Sequence, residues 1–321
     1  MGNLTMRQRK FKQVDVFTAK PYLGNPLAVV LDGTGLSDAD MQHFAQWTNL
    51  SETTFVLPPT ESGSQNGAHY QVRIFTPGSE LPFAGHPTLG SCHAWLQSAD
   101  SAHAADSPEI VQECKVGLVR IRRDGARLAF AAPTLRRSNP SPALLAQVAG
   151  ALGIQAQHIV AAQMLDNGPT WLGLLLDSTQ TVLQLRPNYL ALKGLVPGVG
   201  VAARDTAPAP VATSPLIARS NREARAFGAR TVDPTDDDAH VALEVRFFAP
   251  DIGVGEDPVT GSFNASLAQW LMADGHVPDA YLARQGGCLG RDGQVYLSRD
   301  SHGQVWVGGD CVTCIDGNVT L

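Results

Sequence analysis

Apolar and polar residues alternate over 11–17 as in a half-buried strand, and the fully apolar run 27–31 reads as a second strand. Asp32-Gly33 is a turn signal. Ser37, with Asp40 three residues on in capping-box position, opens a helix whose apolar side is Met41, Phe44, Ala45 and Trp47. A third strand follows within 49–58, then a polar loop over 60–67 and a strand over 69–76. The loop 78–84 leads to a helix over 87–98, and 99–108 reads as a mobile loop. Short strands are predicted at 110–114, 117–123 and 127–131, with Asp124-Gly125 as the clearest hairpin signal. A linker over 133–142 leads to a helix over 142–152, with Gly153 as its stop. Beyond it the pattern predicts strands at 159–165 and 170–176, helical turns at 178–185 and 189–193, and short strands at 196–201 and 216–219. The loop 205–211 is rich in Ala and Pro, and 225–238 is charged. A strand over 241–248, a helix, and strands at 294–298, 305–309 and 311–315 close the chain. Residues 1–12 read as a flexible tail ahead of the first strand.

One pattern occurs twice. Arg73-Ile74-Phe75-Thr76-Pro77 is matched by Arg246-Phe247-Phe248-Ala249-Pro250. His86-Pro87-Thr88-Leu89-Gly90-Ser91 then lines up with Asp257-Pro258-Val259-Thr260-Gly261-Ser262. Both copies read strand, proline, short loop, polar residue, proline, Gly-Ser, helix. In the second, Asp257 suits an N-cap and Pro258 the first helical position. Two copies so far apart predict two similar domains rather than a solenoid of short repeats.

Composition narrows the function. The chain has 321 residues, enough for two domains, and 44% hydrophobic against 17% charged residues is ordinary for a globular protein with a sizeable core. A net charge of −6 offers no broad basic field for nucleic acid or anionic membrane. No apolar run is long enough to span a bilayer, and the polar, basic N-terminus does not read as a secretory signal. Cys92, Cys114, Cys288, Cys311 and Cys314 form an odd, scattered set, which points to a reducing cytoplasm rather than a disulfide framework. Cys311 and Cys314 have C-x-x-C spacing, but no second pair follows, and in a strand residues three apart face opposite ways. Neither dinucleotide nor P-loop glycine motifs are present.

Three acidic or basic positions stand out. Glu52 lies between small hydroxyl residues at the mouth of an apolar strand; it is either an exposed strand-start residue or a desolvated acid/base. His86 and Asp257 sit at the two predicted helix starts, where capping and function are both open readings. Asp236-Asp237-Asp238 reads as a solvated loop rather than a metal site.

These residues together carry a resemblance. Asp15-Val16-Phe17, Gly24-Asn25-Pro26-Leu27-Ala28-Val29, Asn49-Leu50-Ser51-Glu52-Thr53, Arg73-Ile74-Phe75-Thr76-Pro77, Leu81-Pro82-Phe83-Ala84-Gly85-His86-Pro87-Thr88-Leu89-Gly90, Phe248-Ala249-Pro250 and Glu256-Asp257-Pro258-Val259-Thr260-Gly261-Ser262 resemble the PhzF-like family, named for an isomerase of phenazine biosynthesis, over nearly the whole chain. The resemblance implies an α/β (α+β) fold of the diaminopimelate epimerase type, with two similar domains, each a rolled, mostly antiparallel sheet around a central helix. The expected domains are 1–133 and 134–321, with 305–321 a candidate to pack onto the first. The expected central helices are 87–98 and 258–272, facing each other across a cleft. The resemblance further implies Glu52 as catalytic acid/base and His86 and Asp257 as substrate-binding residues. Gly85, Gly261 and Ser262 would donate to a substrate carboxylate. No metal or cofactor is expected, and a cytoplasmic homodimer is. The expected activity is isomerisation of a small carboxylated, amino-bearing, possibly cyclic metabolite such as a dihydro-hydroxyanthranilate-like compound. Amino-acid epimerisation and non-catalytic metabolite binding are the alternatives. Related epimerases and racemases use a cysteine at each helix start; this chain has His86 and Asp257 there, with Cys92 further along, which disfavours two-thiol chemistry. Phe263-Asn264 stands where small residues are frequent, and its effect on the pocket is open.

Overall fold

The structure, a computed structural model, describes residues 6–104, 107–205 and 241–321. The strand expected at 216–219, the charged run 225–238 and Asp236-Asp237-Asp238 lie outside the described residues. Among the described residues no helix is long and apolar enough to cross a membrane.

The chain forms the same sheet twice. In the first half, β1 (Gln8–Val16) pairs antiparallel with β2 (Asn25–Val30), which runs parallel to β3 (Thr53–Leu57). β3 is antiparallel to β4 (Tyr70–Phe75), which runs parallel to β6 (Glu109–Cys114). Antiparallel β7 (Gly117–Asp124) and β8 (Arg127–Ala131) complete it, and the short β5 (Glu80–Leu81) folds back on β4. In the second half, β10 (Ile159–Asp166), β11 (Thr170–Leu176), β12 (Val199–Arg204), β13 (Val241–Ala249), β15 (Ala280–Gln285), β16 (Gly293–Arg299) and β17 (Val305–Gly309) repeat that order and those directions, with β14 (Val254–Asp257) folded back on β13.

Each half then hands a strand to the other. β9 (Arg136–Ser138), within the segment expected to be a linker, pairs with β10. β18 (Cys311–Thr320) pairs with β1 from Gln8↔Thr320 to Val16↔Cys311. That pairing is why β1 begins at Gln8, earlier than the expected 11: its outer residues lack apolar alternation but have a partner strand. β8 also pairs with β17, joining the sheets. The polar stretch 60–67 is not a plain loop but holds α2 (Glu61–Gln65), capped by Thr60.

One helix fills each rolled sheet. α3 (Gly85–Leu96) contacts strands β1, β2, β3, β4, β6, β8 and β18, so the sheet wraps around it. α7 (Gly261–Ala273) occupies the second half and touches α3. Neither is amphipathic in the usual sense: Gly85 to Cys92 are all buried, as are Trp270 and Leu271. A helix covered on all sides needs apolar or small residues all round, and both sequences supply them. Outside the sheets, α1 (Asp38–Thr48) packs on the first, while α4 (Pro142–Leu152), α5 (Thr179–Gln184) and α6 (Tyr189–Leu192) cover the second.

The helix starts correct the register of the repeat. α7 begins at Gly261, with Thr260 as N-cap, not at Pro258. Asp257 ends β14, four residues earlier, and is not a cap. α3 begins at Gly85, so His86 is its second residue. The equivalent segments are Glu80-Leu81-Pro82-Phe83-Ala84-Gly85-His86 and Glu256-Asp257-Pro258-Val259-Thr260-Gly261-Ser262. Arg73 grips Glu80 through Nε and an Nη, and Arg246 grips Glu256 in the same way, which fixes this alignment independently. The pairing of Pro87 with Pro258 was a coincidence of spacing.

Phe263 points into the core, not the cleft. Its ring lies 5.2 Å from that of Phe247 and covers Gly200 of β12. A Cβ on Gly200 would come within 2.1 Å of that ring. The bulky residue at 263 is thus matched by a missing side chain at 200. Gly200→Ala should cost about 1–3 kcal/mol by overpacking. Adding Phe263→Ala should recover part of that loss, so in urea unfolding the double variant should be more stable than the two single losses predict. Simple additivity would contradict the pairing.

Candidate active site

Three segments bring Glu52 to its place. α1 ends at Asn49, which turns the chain with a left-handed φ of 53°. Ser51 and Glu52 follow at the mouth of β3, beside the first residues of β2. Glu52's side chain is 16% exposed and that of His86 5%. Glu52 Oε2 lies 3.4 Å from His86 Nε2, and neither atom has a hydrogen bond partner among the described residues or is reached by solvent.

Asp257 completes the group from the other half. Its Oδ1 accepts from Asn25 Nδ2 at 3.0 Å and its Oδ2 from Thr260 Oγ1 at 2.5 Å. Gln285, fully buried, donates to the Asp257 carbonyl and to Thr260 Oγ1, and accepts from Thr260 N and Asn264 Nδ2. This amide therefore fixes the whole turn from Asp257 to Asn264.

Burial sets the ionisation of the group. It pushes Glu52 up to about 7, against a hydrogen bond from Ser51. It pushes His86 down to about 4, against the pull of Asp257 and Asp15, so the imidazole is neutral near pH 7. Asp257 rises to about 6 through burial and the charge of Glu52, opposed by His86, Thr260 and Asn25. Near neutrality two carboxyl groups and a neutral imidazole therefore share few protons. Glu52 is poised both to accept a proton and to return it.

The helix starts supply the other half of the chemistry. Gly85 and Gly261 abut: a Cβ on Gly85 would stand 3.0 Å from the Gly261 Cα. The first N–H groups of a helix have no partner within it, and the end carries partial positive charge. Two such ends meeting here can hold a carboxylate or a developing enolate-like charge. Ser262 is the second residue of α7, and its carbonyl accepts from Asn167 Nδ2. Among the described residues no group of three or more His, Cys, Asp and Glu is placed to hold a metal ion.

Glu52, His86, Asp257, Gly85, Gly261 and Ser262 thus converge at the two helix starts. Asn25, Gln285 and Asn264 have no role assigned from sequence, although all three are buried in this network. For Asn25 and Gln285 the signal was a polar amide at the end of a strand, and for Asn264 an amide within an apolar helix, since a buried amide must find partners.

The chain matches the family model described as phenazine biosynthesis-like protein over residues 14–317. It is 34% identical to antisense-enhancing sequence 1 of Schizosaccharomyces pombe, covering 97% of this chain and 99% of that one. It is 30% identical to trans-2,3-dihydro-3-hydroxyanthranilate isomerase of Pseudomonas aeruginosa, covering 92% of each. A crystal structure of a phenazine biosynthesis protein of the PhzF family from Enterococcus faecalis superposes with a TM-score of 0.72 at 22% identity, over 98% of this chain and all of that one, and so shares its fold.

The raised affinity of Glu52 for its proton has a stability cost. In the unfolded chain this carboxyl ionises near 4.5, in the fold near 7. Folding therefore binds a proton between those values, and stability falls as pH rises from about 4.5 through 7, by on the order of 3 kcal/mol once ionisation is complete. Glu52→Gln should unfold at higher urea than the parent near pH 8, with the difference shrinking toward pH 5. An equal difference at both pH values would show that Glu52 is not desolvated.

Proposed function

The chain belongs to the phenazine biosynthesis-like family, and on that footing we propose that it is an isomerase in which Glu52 moves a proton on a small carboxylated, amino-bearing cyclic metabolite, without a cofactor. The observation that carries the reading is the pairing of Glu52, buried with one oxygen unpartnered, with two helix starts that meet beside it. The substrate carboxylate binds at the N–H groups of Gly85, His86, Gly261 and Ser262. Glu52 removes a proton from a ring carbon, and the electron pair moves through the ring toward the held carboxylate. The same carboxyl group, now protonated and exchanging that proton with water before the second transfer, protonates another ring carbon, so the double bonds shift and the atom count does not change. His86, which is neutral, and the Asp257 carboxylate contact the polar groups of the substrate and orient it. The Pseudomonas relative is named for trans-2,3-dihydro-3-hydroxyanthranilate, which has this chemistry.

Epimerisation by a cysteine pair finds no support at the corrected helix starts. Ala84, Gly85, His86 and Thr260, Gly261, Ser262 stand there, and Cys92 is buried within α3 with its thiol pushed up to about 12 by burial. A thiol so hard to ionise is a poor base.

Incubated in D₂O with trans-2,3-dihydro-3-hydroxyanthranilate, the protein should move the double bonds and add deuterium at one ring carbon. The rate should rise with pH through about 7 as Glu52 ionises. Glu52→Gln should lower turnover by at least about 10²-fold while leaving the fold intact. Unchanged turnover in that variant would contradict the assignment.

A further inference from the structure

Asn25 is 1% exposed and opens β2, ahead of Pro26, which holds residue 25 in extended backbone. Its amide bridges the two halves. Nδ2 donates to Asp257 Oδ1 at 3.0 Å and to the Val259 carbonyl at 2.9 Å. Oδ1 accepts from Ser51 Oγ at 3.4 Å. Both N–H bonds of the amide thus point at the Asp257 turn, and its oxygen points at the residue before Glu52.

The charged or chargeable groups facing Asp257 are Glu52, which raises its proton affinity, and His86, which lowers it; Asp15 faces His86 from β1. Two neutral groups donate to Asp257, Thr260 from its own turn and Asn25 from the other half. A hydrogen bond to the ionised form favours that form. Because the amide is also tethered to Ser51, it sets how far the Asp257 carboxylate stands from Glu52.

We propose that Asn25 is a positioning residue for the acid/base group: by donating to Asp257 while accepting from Ser51, it holds Asp257 as the ionised partner and leaves the exchangeable proton to Glu52. This rests on Glu52 being the acid/base, and the two claims fail separately. The bonds made by Asn25 show why an asparagine is needed. Aspartate in its place keeps the shape but removes the donor and adds a third carboxylate, while serine keeps a polar group too short to bridge.

The test is a carbon-13 NMR titration of the Asp257 carboxyl in parent, Asn25→Asp and Asn25→Ser proteins, beside the pH profile of deuterium incorporation into trans-2,3-dihydro-3-hydroxyanthranilate. The Asp257 midpoint should rise in both variants, with about a tenfold gain in proton affinity in Asn25→Asp and a smaller gain in Asn25→Ser. The acid limb of the rate profile, which Glu52 sets, should shift as the charge on Asp257 facing it changes. A midpoint unchanged in the folded variants, whatever happens to the rate, would reduce Asn25 to a wall of the cleft and overturn the proposal. Should Asn25→Asp fail to fold, the Asn25→Ser titration decides alone. Undiminished turnover in Glu52→Gln would defeat the functional reading, while the Asp257 titration would still decide independently whether Asn25 tunes that carboxyl.

Discussion

The close approach of Gly85 and Gly261 is the contact on which the site depends. Two helices meet start to start with no side chain between them, and a Cβ on either residue would crowd the backbone of the other. Two consequences follow from that geometry. Unpaired N–H groups from both halves converge on one spot, and the residues flanking the helix starts lose their water. The second effect raises Glu52, raises Asp257 and lowers His86, in each case with burial as the leading cause. Phe17 supports the meeting point: fully buried and held at a left-handed φ of 65°, it sets its ring against both Gly261 and Gly309. A bulky residue in that conformation is a strained one, and strain of this kind is tolerated where the surrounding structure fixes it.

The halves can press together because each is closed by a strand from the other. β9 leaves the first half to pair with β10, and β18 leaves the second to pair with β1. The hairpins that deliver the helix starts are gripped from behind by Arg73–Glu80 and Arg246–Glu256. The second pair is nearly fully buried, and Arg246 also donates to the Val182 and Leu185 carbonyls. Removing one partner of such a pair typically costs about 3–5 kcal/mol, because a charge is left buried alone. Here it would also release the strand that ends in Asp257.

Much of this was legible in the chain. The doubled Arg-x-Phe-x-Pro strand ends announced two like halves, and Glu52 between hydroxyl residues at a strand mouth marked the acid/base candidate. The register of the repeat was not legible from the helix side. Asp257-Pro258 looks like a cap and first turn, but the pairing of Asp257 with Phe247 and the Arg246–Glu256 bond place Asp257 in the preceding hairpin. Local capping chemistry lost there to a long-range ion pair. β9 and the outer part of β1 escaped notice for a related reason: their pairing is with strands far away in sequence, so periodicity carries no trace of it. Asn25 and Gln285 were visible as residues but not as a network, since an amide's partners are set by the fold and not by its neighbours.

Closing two helix starts on one another dries Glu52 and raises its affinity for a proton. Titration of the Glu52 carboxyl in the ligand-free protein reads that drying without any intervening step, by carbon-13 NMR with Glu52→Gln to assign the signal. A midpoint near 7 is expected. A midpoint at the ordinary glutamate value near 4.5 would mean that water reaches the carboxylate, and that the meeting of the helices does not set its chemistry.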